Sequence, residues 1–360
     1  MIRSRDVAVG LMALMMAGLA LAAPAKDVRW SGERAKAWGN AQPWHCGVNY
    51  IPANAINYTA MWDKTSFSPE VMRRELKLMT DMGMNCVRVV LQYKVYEDDP
   101  EFFLAAFERF LCICDEAKIR VMPIFFDDCC FGENRDPVVG VQSEPLEGWY
   151  AWAWSPSPGH SMVSDPRTHG KLEKYVKDVM QAHKNDPRVF VWDLYNEPRP
   201  GAKSRTWPLL KKTVKWAREV NPVQPLSICV WCGDKEQTDY VLENSDVVTF
   251  HCYKSPENTE KDVKRLLATG RPVICTEWLN RPHKSTVAGC LPVFAANHVG
   301  CIQWGLVNGK TQTHLPWGHR PEMLPYKGVW QHDIFRGDLT PYDPAEIALF
   351  KKTIQEKNGK

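Results

Sequence analysis

Several motifs that identify enzyme classes from a few residues are missing from this sequence. No Gly-x-Gly-x-x-Gly follows the first predicted strand, which disfavours a dinucleotide-binding sheet. There is no phosphate loop, no Gly-x-Ser-x-Gly nucleophile elbow and no His-Glu-x-x-His metalloprotease motif. Asp127-Asp128 with nearby histidines would suit a metal-hydrolase barrel, but the first strand carries no His-x-His pair. We therefore expect neither a cofactor nor a metal ion.

An excess of charge of either sign is missing as well. The chain has 360 residues and a net charge of +3, with acidic and basic residues mixed along its length. Without a basic run, no nucleic-acid-binding surface is predicted. No apolar run beyond the first 25 residues is long enough to span a membrane. Low-complexity segments, linkers and repeats are absent, and the 44% hydrophobic composition predicts one globular domain over residues 26–360.

Residues 1–25 have the pattern of a secretory signal peptide. Arg3 and Arg5 precede an apolar run from Val7 to Ala22, and small residues at 20–22 and 23–25 form two candidate cleavage sites. The run is shorter than the ~20 residues that cross a bilayer comfortably, although an uncleaved anchor is the alternative. The pattern predicts a secreted or periplasmic protein, and loss of the leader leaves a charge near +2.

The chain has 12 cysteines, which is many for an exported protein. Six of them lie in or beside predicted strands: Cys46, Cys86, Cys229, Cys252, Cys275 and Cys301. A free thiol packs there as a small apolar residue. Cys229-x-x-Cys232 has the spacing of a redox or zinc half-site, but no second pair or histidine lies at zinc spacing. The sequence predicts mostly buried thiols with one or two disulfides, for which Cys129 and Cys130 are the best candidates.

Short apolar runs alternate with amphipathic stretches along the chain. Eight runs predict strands: His45 to Tyr50, Cys86 to Gln92, Val121 to Asp127, Val189 to Asn196, Leu226 to Trp231, Val247 to Tyr253, Pro272 to Trp278, and Cys301 to Val307. Eight stretches predict helices, over residues 69–82, 101–118, 167–184, 206–220, 235–244, 257–269, 285–297 and 343–356. The alternation predicts an α/β fold with a single (β/α)₈ TIM barrel, and a doubly wound open sheet is the alternative.

Two connections are longer than most strand-to-helix loops. The first follows the third strand, over residues 128–164, and contains Trp149, Trp152 and Trp154. The second follows the eighth strand, over residues 308–341, and contains His314, Trp317 and Trp330. Both leave the carboxyl end of the barrel, where active sites of this fold lie, so we expect both to rise over the site. The alternative is that the tryptophans only pack the loops down.

Two of the predicted strands end in a glutamate. The fourth runs into Asn196-Glu197-Pro198, where Pro198 ends the strand, and the seventh runs into Glu277-Trp278. The fourth and seventh strands of a barrel lie on opposite sides of its mouth, so both carboxylates can converge on the axis. Two facing carboxylates suit cleavage of a glycosidic bond, in which one donates a proton and the other attacks or activates water. The alternative is that each glutamate forms a surface salt bridge.

This ordered pattern resembles the clan A glycoside hydrolases, and especially family 5, the cellulase-like retaining enzymes. Asn196-Glu197-Pro198 is similar to the acid/base motif, which implies that Glu197 is the general acid and base and that Asn196 holds a sugar hydroxyl. Glu277 is similar to the nucleophile of the seventh strand. His251-Cys252-Tyr253 is similar to a His-x-Tyr of the sixth strand, which implies that Tyr253 holds the nucleophile and that His251 lies near the acid.

The resemblance extends to further positions. Arg88 is similar to an arginine that pairs with the nucleophile, and Trp304 to a tryptophan that forms the floor of the sugar site. Trp278 and Asn49 are further candidates for supporting the substrate. The pattern departs from the family at the end of the third strand, where Phe126-Asp127-Asp128-Cys129 replaces a histidine. There Asp127 or Asp128 binds a sugar hydroxyl or, alternatively, caps the loop.

The resemblance implies a retaining glycoside hydrolase that acts on a β-glycan of the cellulose, mannan or xylan kind, or on oligosaccharides from it, by double displacement. Arg88 and the Tyr253 hydroxyl would keep Glu277 ionised, and that charge would keep a proton on Glu197. Carboxyl groups ~5–5.5 Å apart would indicate retention, and ~6.5–9.5 Å inversion. An exo-acting β-glycosidase, a transglycosylase and a non-catalytic glycan-binding barrel are the alternatives.

Overall fold

The computed structural model describes residues 28–199, 205–231 and 234–359. The predicted signal peptide and Cys232 lie outside these ranges, so secretion stays a prediction. In the described part of the chain, no helix is both long and apolar enough to cross a membrane.

Nine short parallel strands form one nearly closed barrel. They are β1 (Cys46–Asn49), β2 (Cys86–Val90), β3 (Arg120–Ile124), β4 (Trp192–Asp193), β5 (Leu226–Ser227), β6 (Cys229–Val230), β7 (Val248–His251), β8 (Val273–Glu277) and β9 (Gly300–Trp304). Their order in the sheet is β5-β4-β3-β2-β1-β9-β8-β7-β6. The predicted (β/α)₈ TIM barrel is confirmed.

The predicted fifth strand is divided in two. β5 pairs with β4, and β6 pairs with β7, while Ile228 lies between the two halves. The backbone N–H of Ile228 donates to the Ser245 hydroxyl at 3.1 Å. Both halves belong to the same crossing of the barrel. β7, β8 and β9 are therefore its sixth, seventh and eighth strands.

Helices surround the barrel. Those in the described residues are α1 (Gly32–Asn40), α2 (Tyr58–Trp62), α3 (Pro69–Met82), α4 (Tyr93–Asp98), α5 (Pro100–Glu116), α6 (His160–Ser164), α7 (His169–His183), α8 (Thr206–Val220), α9 (Lys235–Asn244), α10 (Pro256–Leu267), α11 (Val287–Ala296) and α12 (Pro344–Asn358). The eight predicted helices are all present, with ends that differ by no more than two residues. Local signals set these ends: the Ser68 hydroxyl accepts from the backbone of Val71 at 3.4 Å, and Gly83 ends α3 with φ 82°.

The interior of the barrel is apolar at its amino end. Inward side chains there form a separate buried cluster: Cys86, Met122, Phe190, Val191, Val247, Ile274 and Ile302, with Trp38 of α1 packed against them. Because side chains alternate along a strand, two residues further on the same face carries Arg88 in β2 and Trp304 in β9. The polar groups of the site therefore lie on the carboxyl-end side of this apolar cluster.

The two long loops interlock above the carboxyl end. Backbone N–H groups of Tyr150 and Ala151 in the first loop donate to carbonyls of His319 and Thr311 in the second, at 3.3 and 3.0 Å. The Gln312 side chain accepts from the Gly148 N–H at 2.8 Å and donates to the Leu146 carbonyl at 2.7 Å. The expectation that both loops cover this face is met, and each braces the other.

The prediction that Cys129 and Cys130 take part in disulfides is wrong. Both are free thiols, as is every other cysteine among the residues that the structure describes. The two side chains have different partners: Cys129 Sγ lies 3.8 Å from the Glu197 carboxylate, and Cys130 Sγ lies 3.2 Å from the Gly132 carbonyl. Eight of these eleven free cysteines are buried, as expected for small apolar residues packed in the core.

Candidate active site

A cavity of about 970 Å³ opens at the carboxyl end of the barrel. Six of the ten predicted site residues line it: Asp127, Asn196, Glu197, Tyr253, Glu277 and Trp304. They come from the ends of β3, β4, β7, β8 and β9 or the turns that follow. The ends of these five strands therefore bring polar and aromatic groups into one cavity.

Arg88 lies at the centre of the polar network under the cavity. Its guanidinium is 1% exposed and donates to Asp193 at 2.8 and 2.9 Å, to Glu277 at 2.9 Å, and to the side-chain oxygens of Asn49 and Asn196 at 2.8 and 2.7 Å. A buried cation needs such partners, because an unpaired charge away from water is very costly. Arg88 thus ties together four strands, β1, β2, β4 and β8.

Two donors hold the carboxylate of Glu277. Arg88 contacts Oε1 at 2.9 Å, and the Tyr253 hydroxyl donates to Oε2 at 2.7 Å. Burial raises the pKa of Glu277, while its contacts with Arg88 and Tyr253 oppose that rise. Hydrogen bonds from charged or polar donors to both oxygens stabilise the ionised form and fix the orientation of the group.

Glu197 stands in a sharp turn just beyond β4. Its φ is 42°, in the left-handed region that side chains rarely adopt, and Pro198 follows. Its Oε1 lies 2.7 Å from His251 Nδ1, and its Oε2 lies 3.8 Å from the Cys129 thiol. The side chain is 21% exposed. Burial raises the pKa of Glu197 to about 7, so the carboxyl is about half protonated at neutral pH and mostly protonated in mildly acidic solution.

The two glutamates face each other at short range. One oxygen of Glu197, one oxygen of Glu277 and one ring nitrogen of His251 all lie within 4.8 Å of one another. His251 Nδ1 is 2.7 Å from Glu197 and 3.4 Å from Glu277. Burial lowers the pKa of His251 to about 3, so the ring is neutral at physiological pH. The pair of carboxyl groups is thus bridged by an uncharged imidazole.

Asn196 and Asp127 form a second hydrogen-bonded pair beside Glu197. The Asn196 amide donates to Asp127 Oδ1 at 2.9 Å, while its oxygen accepts from Arg88. The other Asp127 oxygen is buried and has no hydrogen-bond partner among the described residues. Burial raises the pKa of Asp127. An unsatisfied buried oxygen beside a cavity is well placed to accept from a ligand hydroxyl.

Two predicted supporting residues occupy other places. Trp278 does not line the cavity: it is 0% exposed and packs against Phe294 of α11 and Phe350 of α12, with ring centroids 5.3 and 6.3 Å away. Side chains alternate along β8, so Glu277 faces inward and Trp278 faces outward, and its assignment to the site is wrong. Asn49 lies below the cavity, where its amide donates to the Thr276 carbonyl at 2.7 Å and its oxygen accepts from Arg88.

Sequence reasoning missed several residues of the site. Asp193 is the closest anionic partner of Arg88. The sequence feature that indicates its importance is a charged residue inside an otherwise apolar strand. Cys129 was read as a disulfide candidate although it follows the third strand directly. The cavity is also lined by Tyr58 and by an aromatic wall from the two loops, consisting of Tyr150, Trp154 and Trp317. No local pattern distinguished these three from the other aromatics of the loops.

Among the residues that the structure describes, two groups of side chains have donor atoms close enough together for a metal ion. One is Glu197, His251 and Glu277; the other, on the barrel exterior, is Glu108, His183 and Asp186. In each a guanidinium already contacts a carboxylate: Arg88 lies 2.9 Å from Glu277, and Arg188 lies 2.8 Å from Glu108 and 2.6 Å from Asp186. These cations supply the positive charge that a metal would bring, so geometry and charge favour ion pairs at both places.

Comparisons with known proteins agree with this architecture. The model of the family "Cellulase (glycosyl hydrolase family 5)" matches residues 48–310. No curated protein matches the chain. Similar solved structures include a GH5_18 enzyme from Streptomyces cattleya in complex with GlcNAc. The two sequences are 13% identical, the match covers 87% of this chain and 80% of that chain, and the TM-score is 0.61. The endo-β-1,4-mannanase from Thermotoga petrophila has 14% identity, covers 89% of this chain and 78% of its own, and has a TM-score of 0.58.

A third similar structure is an exo-β-1,4-mannosidase from Opitutaceae bacterium strain TAV5, with 18% identity, 88% of this chain and 60% of that chain covered, and a TM-score of 0.58. At these identities the structures establish the fold. The family model covers well over half of the sequence, including the ends of β4, β7, β8 and β9. The chain therefore belongs to glycosyl hydrolase family 5, the cellulase family, and is a glycoside hydrolase.

Proposed function

We propose that the enzyme cleaves β-glycosidic bonds with retention of configuration, with Glu277 as nucleophile and Glu197 as general acid and base. The observation that carries this proposal is the difference in environment of two carboxyl groups whose oxygens lie within 4.8 Å. Glu277 is held by a guanidinium and a phenol, while Glu197 has a pKa raised to about 7 by burial. A short separation of this kind supports double displacement over inversion, which needs room for a water between the carboxyl groups.

In the first step, Glu277 attacks the anomeric carbon and Glu197 protonates the leaving oxygen. Arg88 and Tyr253 aim the nucleophile and keep it ionised. Neutral His251, whose Nδ1 lies 2.7 Å from Oε1 of Glu197, holds the acid in place. Trp304 offers an apolar face to the sugar ring. Asn196 and the free oxygen of Asp127 meet sugar hydroxyls.

In the second step, water releases the sugar from Glu277. Esterification removes the negative charge of Glu277, so the pKa of Glu197 falls and the ionised carboxylate can act as a base. It then takes a proton from the water that attacks the anomeric carbon. The same residue can serve both half-reactions because its charge state follows that of its neighbour.

Proton NMR of the first-formed product tests the mechanism. With an aryl β-glycoside as substrate, we expect the β-anomer of the free sugar to appear first and the α-anomer to grow in later by mutarotation. Initial release of the α-anomer would show inversion and refute double displacement. Addition of an acceptor alcohol tests transglycosylation, since a glycosyl-enzyme intermediate partitions between water and acceptor.

The aromatic wall favours exo action over internal cleavage. Trp154 packs on Trp304 with ring centroids 5.3 Å apart, and Trp317 packs on Tyr253 at 4.9 Å. The Trp317 indole donates to the Tyr150 hydroxyl at 3.2 Å, which joins the two loops across this side of the cavity. The sugar bound beside Glu277 therefore meets a closed end, and a chain is accepted from its terminus.

Product sizes from end-labelled oligosaccharides test exo action. An exo-acting enzyme releases one terminal unit at a time, whereas mid-chain fragments at early time points would contradict a closed end. Trp317→Ala should raise the share of internal cuts, because it removes the contact with Tyr150 that joins the loops. Trp330→Ala is the matched control, since Trp330 lies in the same loop but stacks on Tyr342, with centroids 4.8 Å apart, rather than lining the cavity.

The substrate class follows from the scaffold and from the named neighbours. Two of those structures are an endo-β-1,4-mannanase and an exo-β-1,4-mannosidase. We propose β-linked mannosyl, glucosyl or xylosyl chains as substrates, with mannosides tested first. A panel of aryl β-glycosides of these three sugars, scored for kcat/KM, identifies the sugar that fits beside Glu277.

We further propose that the enzyme is exported, since residues 1–25 carry a charged start, an apolar run and small residues at two cleavage candidates. Cell fractionation with mass determination of the mature amino terminus tests this. A product that keeps residues 1–25 and stays with the membrane would indicate an anchor instead.

A further inference from the structure

The cavity has two chemically different sides. On the side of Glu277 it is aromatic, with Tyr253, Trp304 and the aromatic wall. On the side of Glu197 it is lined by three arginines, Arg135, Arg199 and Arg205, which we call the arginine rim. Because a general acid contacts the leaving oxygen, the leaving portion of the substrate lies on the side of Glu197. The arginine rim therefore faces the part of the substrate that departs.

The arginine rim is assembled from three separate segments. Arg135 comes from the loop after β3, Arg199 from the turn after Glu197, and Arg205 directly precedes α8. Their charges act on the same region. Arg135 and Arg205 oppose the rise that burial causes in the pKa of the Cys130 thiol, and Arg199 opposes the rise that burial causes in the pKa of Glu197. Arg135 and Arg205 both act on the surroundings of Cys130, and like charges at one edge of a cavity favour the binding of an anion there.

Two members of the arginine rim, Arg135 and Arg205, keep hydrogen-bonding capacity for a ligand. Within the described ranges Arg135 has no ion-pair partner for its side chain. Arg205 has a single long contact, 3.9 Å to Asp128 Oδ2, and its side chain is 45% exposed. That carboxylate is already engaged, since it also accepts from the Thr206 hydroxyl at 2.6 Å and from the Tyr195 hydroxyl at 2.9 Å.

Two of the carboxyl groups that line the cavity are buried and already bound by other residues. Asp127 is 1% exposed and Glu277 is 5% exposed, and each is tied into the network around Arg88. Burial raises the pKa of Asp128 as well as that of Asp127. A group that enters from solvent on the acid side therefore meets guanidinium groups first. Trp231, which lines the same side and lies 5.1 Å from Arg199, adds a flat surface for a ring.

We propose that the leaving portion of the natural substrate carries an anionic group, a carboxylate or a sulfate ester, which the arginine rim binds. A guanidinium group can bind two oxygens of such an anion through two parallel hydrogen bonds. The substrate is thus an acidic β-glycan or a fragment of one, with a neutral sugar beside Glu277 and an acidic unit beyond the scissile bond. This inference rests on the proposed function, because the role of Glu197 defines where the leaving portion lies.

Matched aryl β-glycosides test the proposal. They share the sugar that the panel identifies and differ in the aryl group, which carries a para-carboxylate, a para-sulfonate or an uncharged para-carboxamide. At low ionic strength we expect kcat/KM to be roughly 10-fold higher for an anionic aryl group than for the carboxamide. Arg135→Gln and Arg205→Gln should each reduce that ratio towards one, and added salt should reduce it as well. Arg109→Gln, an exposed arginine of α5 outside the cavity, should leave the ratio unchanged.

The outcomes separate this proposal from the proposed function. A preference for the carboxylate alone assigns a uronate-like unit, and a preference for both anions assigns an oxyanion of either kind. If the carboxamide is cleaved as well as the anionic glycosides, or if the arginine variants keep the wild-type ratio, the inference is overturned while glycosidase activity stands. If no glycoside is cleaved, the proposed function fails. In that case, titration of the Glu277→Gln protein with para-hydroxybenzoate and para-hydroxybenzamide tests the arginine rim by itself. Equal binding of the two compounds would overturn the inference.

Discussion

The two glutamates at the mouth of the barrel are held in opposite ways. Glu277 is the last residue of a five-residue strand, its side chain is 7% exposed, and both carboxylate oxygens receive a direct donor. Glu197 lies outside its strand in a turn with φ 42°, its side chain is 21% exposed, and its contacts are a neutral imidazole and a thiol. One carboxyl group is fixed by charge and sheet geometry, and the other is held by weak, uncharged neighbours.

The difference matches two chemical tasks. A nucleophile gains from a rigid position and a stabilised negative charge, which a guanidinium and a phenol supply. A residue that must give and then take a proton gains from a pKa near the working pH, and partial burial without a cationic hydrogen-bond partner provides this. If this reading is correct, changes at the two positions should have different signatures.

The largest expected effect comes from Glu277→Gln. It removes the carboxylate of the proposed nucleophile while keeping the size of the side chain, so kcat should fall by roughly 10⁴-fold or more for every substrate, whatever its leaving group. The measurement is steady-state kcat with several aryl glycosides. Retention of the fold is checked by circular dichroism, because Arg88 loses one of its two anionic partners. Activity within tenfold of wild type would assign the nucleophile elsewhere.

Glu197→Gln should be selective in its damage. For a poor leaving group that needs a proton, we expect kcat/KM to fall by about 10² to 10⁴-fold. For a leaving group that departs as a stable phenolate, the first step should be nearly unaffected and the glycosyl-enzyme should accumulate, visible as a burst of phenolate. A uniform loss across leaving groups, as expected for Glu277→Gln, would contradict the contrast between the two residues.

The sequence was sufficient to predict the scaffold, because the strand and helix patterns occur eight times along the chain. Each further strand is additional support for a barrel. The ends of the predicted helices, such as those at Ser68 and Gly83, followed from capping residues that act locally. Division of the fifth strand at Ile228 could not be foreseen, because it depends on a hydroxyl from Ser245 that is adjacent only in the folded chain.

Site residues on strand ends were easier to predict than those on loops. Arg88, Glu277 and Tyr253 meet because strand ends of a closed barrel converge, so their order along the chain sufficed. Trp278 was misplaced because residue type was given more weight than the alternation of β8. The aromatic wall depends on contacts between two irregular loops, and no periodic pattern encodes those contacts.

Tyr253→Phe tests how Glu277 is held. The variant keeps the ring and removes the hydroxyl that lies 2.7 Å from Oε2. A hydrogen bond to a charged group contributes about 1.5–3 kcal/mol, so kcat/KM should fall roughly 10- to 100-fold. Tyr175→Phe is the matched control, because the buried Tyr175 hydroxyl has no partner in the described part of the chain and should be dispensable. Equal effects of the two substitutions would show that Tyr253 acts by packing.

The pH profile tests how Glu197 is held. With the pKa of Glu197 raised to about 7, the protonated acid is lost as pH rises through 7, so kcat/KM should fall about tenfold per unit above it. The profile is measured with a poor leaving group. With an activated phenolate leaving group the alkaline limb should flatten, since protonation is no longer needed. A limb that stays the same for both leaving groups would assign it to another residue.

The smallest expected effect comes from Cys129→Ala, which addresses the weakest contact in the comparison. The thiol lies 3.8 Å from Oε2 of Glu197, and burial raises its own pKa, so it stays protonated and acts as a weak donor to the carboxylate. Such a donor favours ionised Glu197, so its removal should move the alkaline limb of the pH profile upward, by less than about one pH unit. Cys130→Ala is the matched control, because its thiol faces the Gly132 carbonyl. An upward shift in Cys129→Ala alone would show that the weak contact with Cys129 tunes the pKa of Glu197. A shift of the same size in both variants would mean that the position of the loop, and not the thiol, sets this pKa.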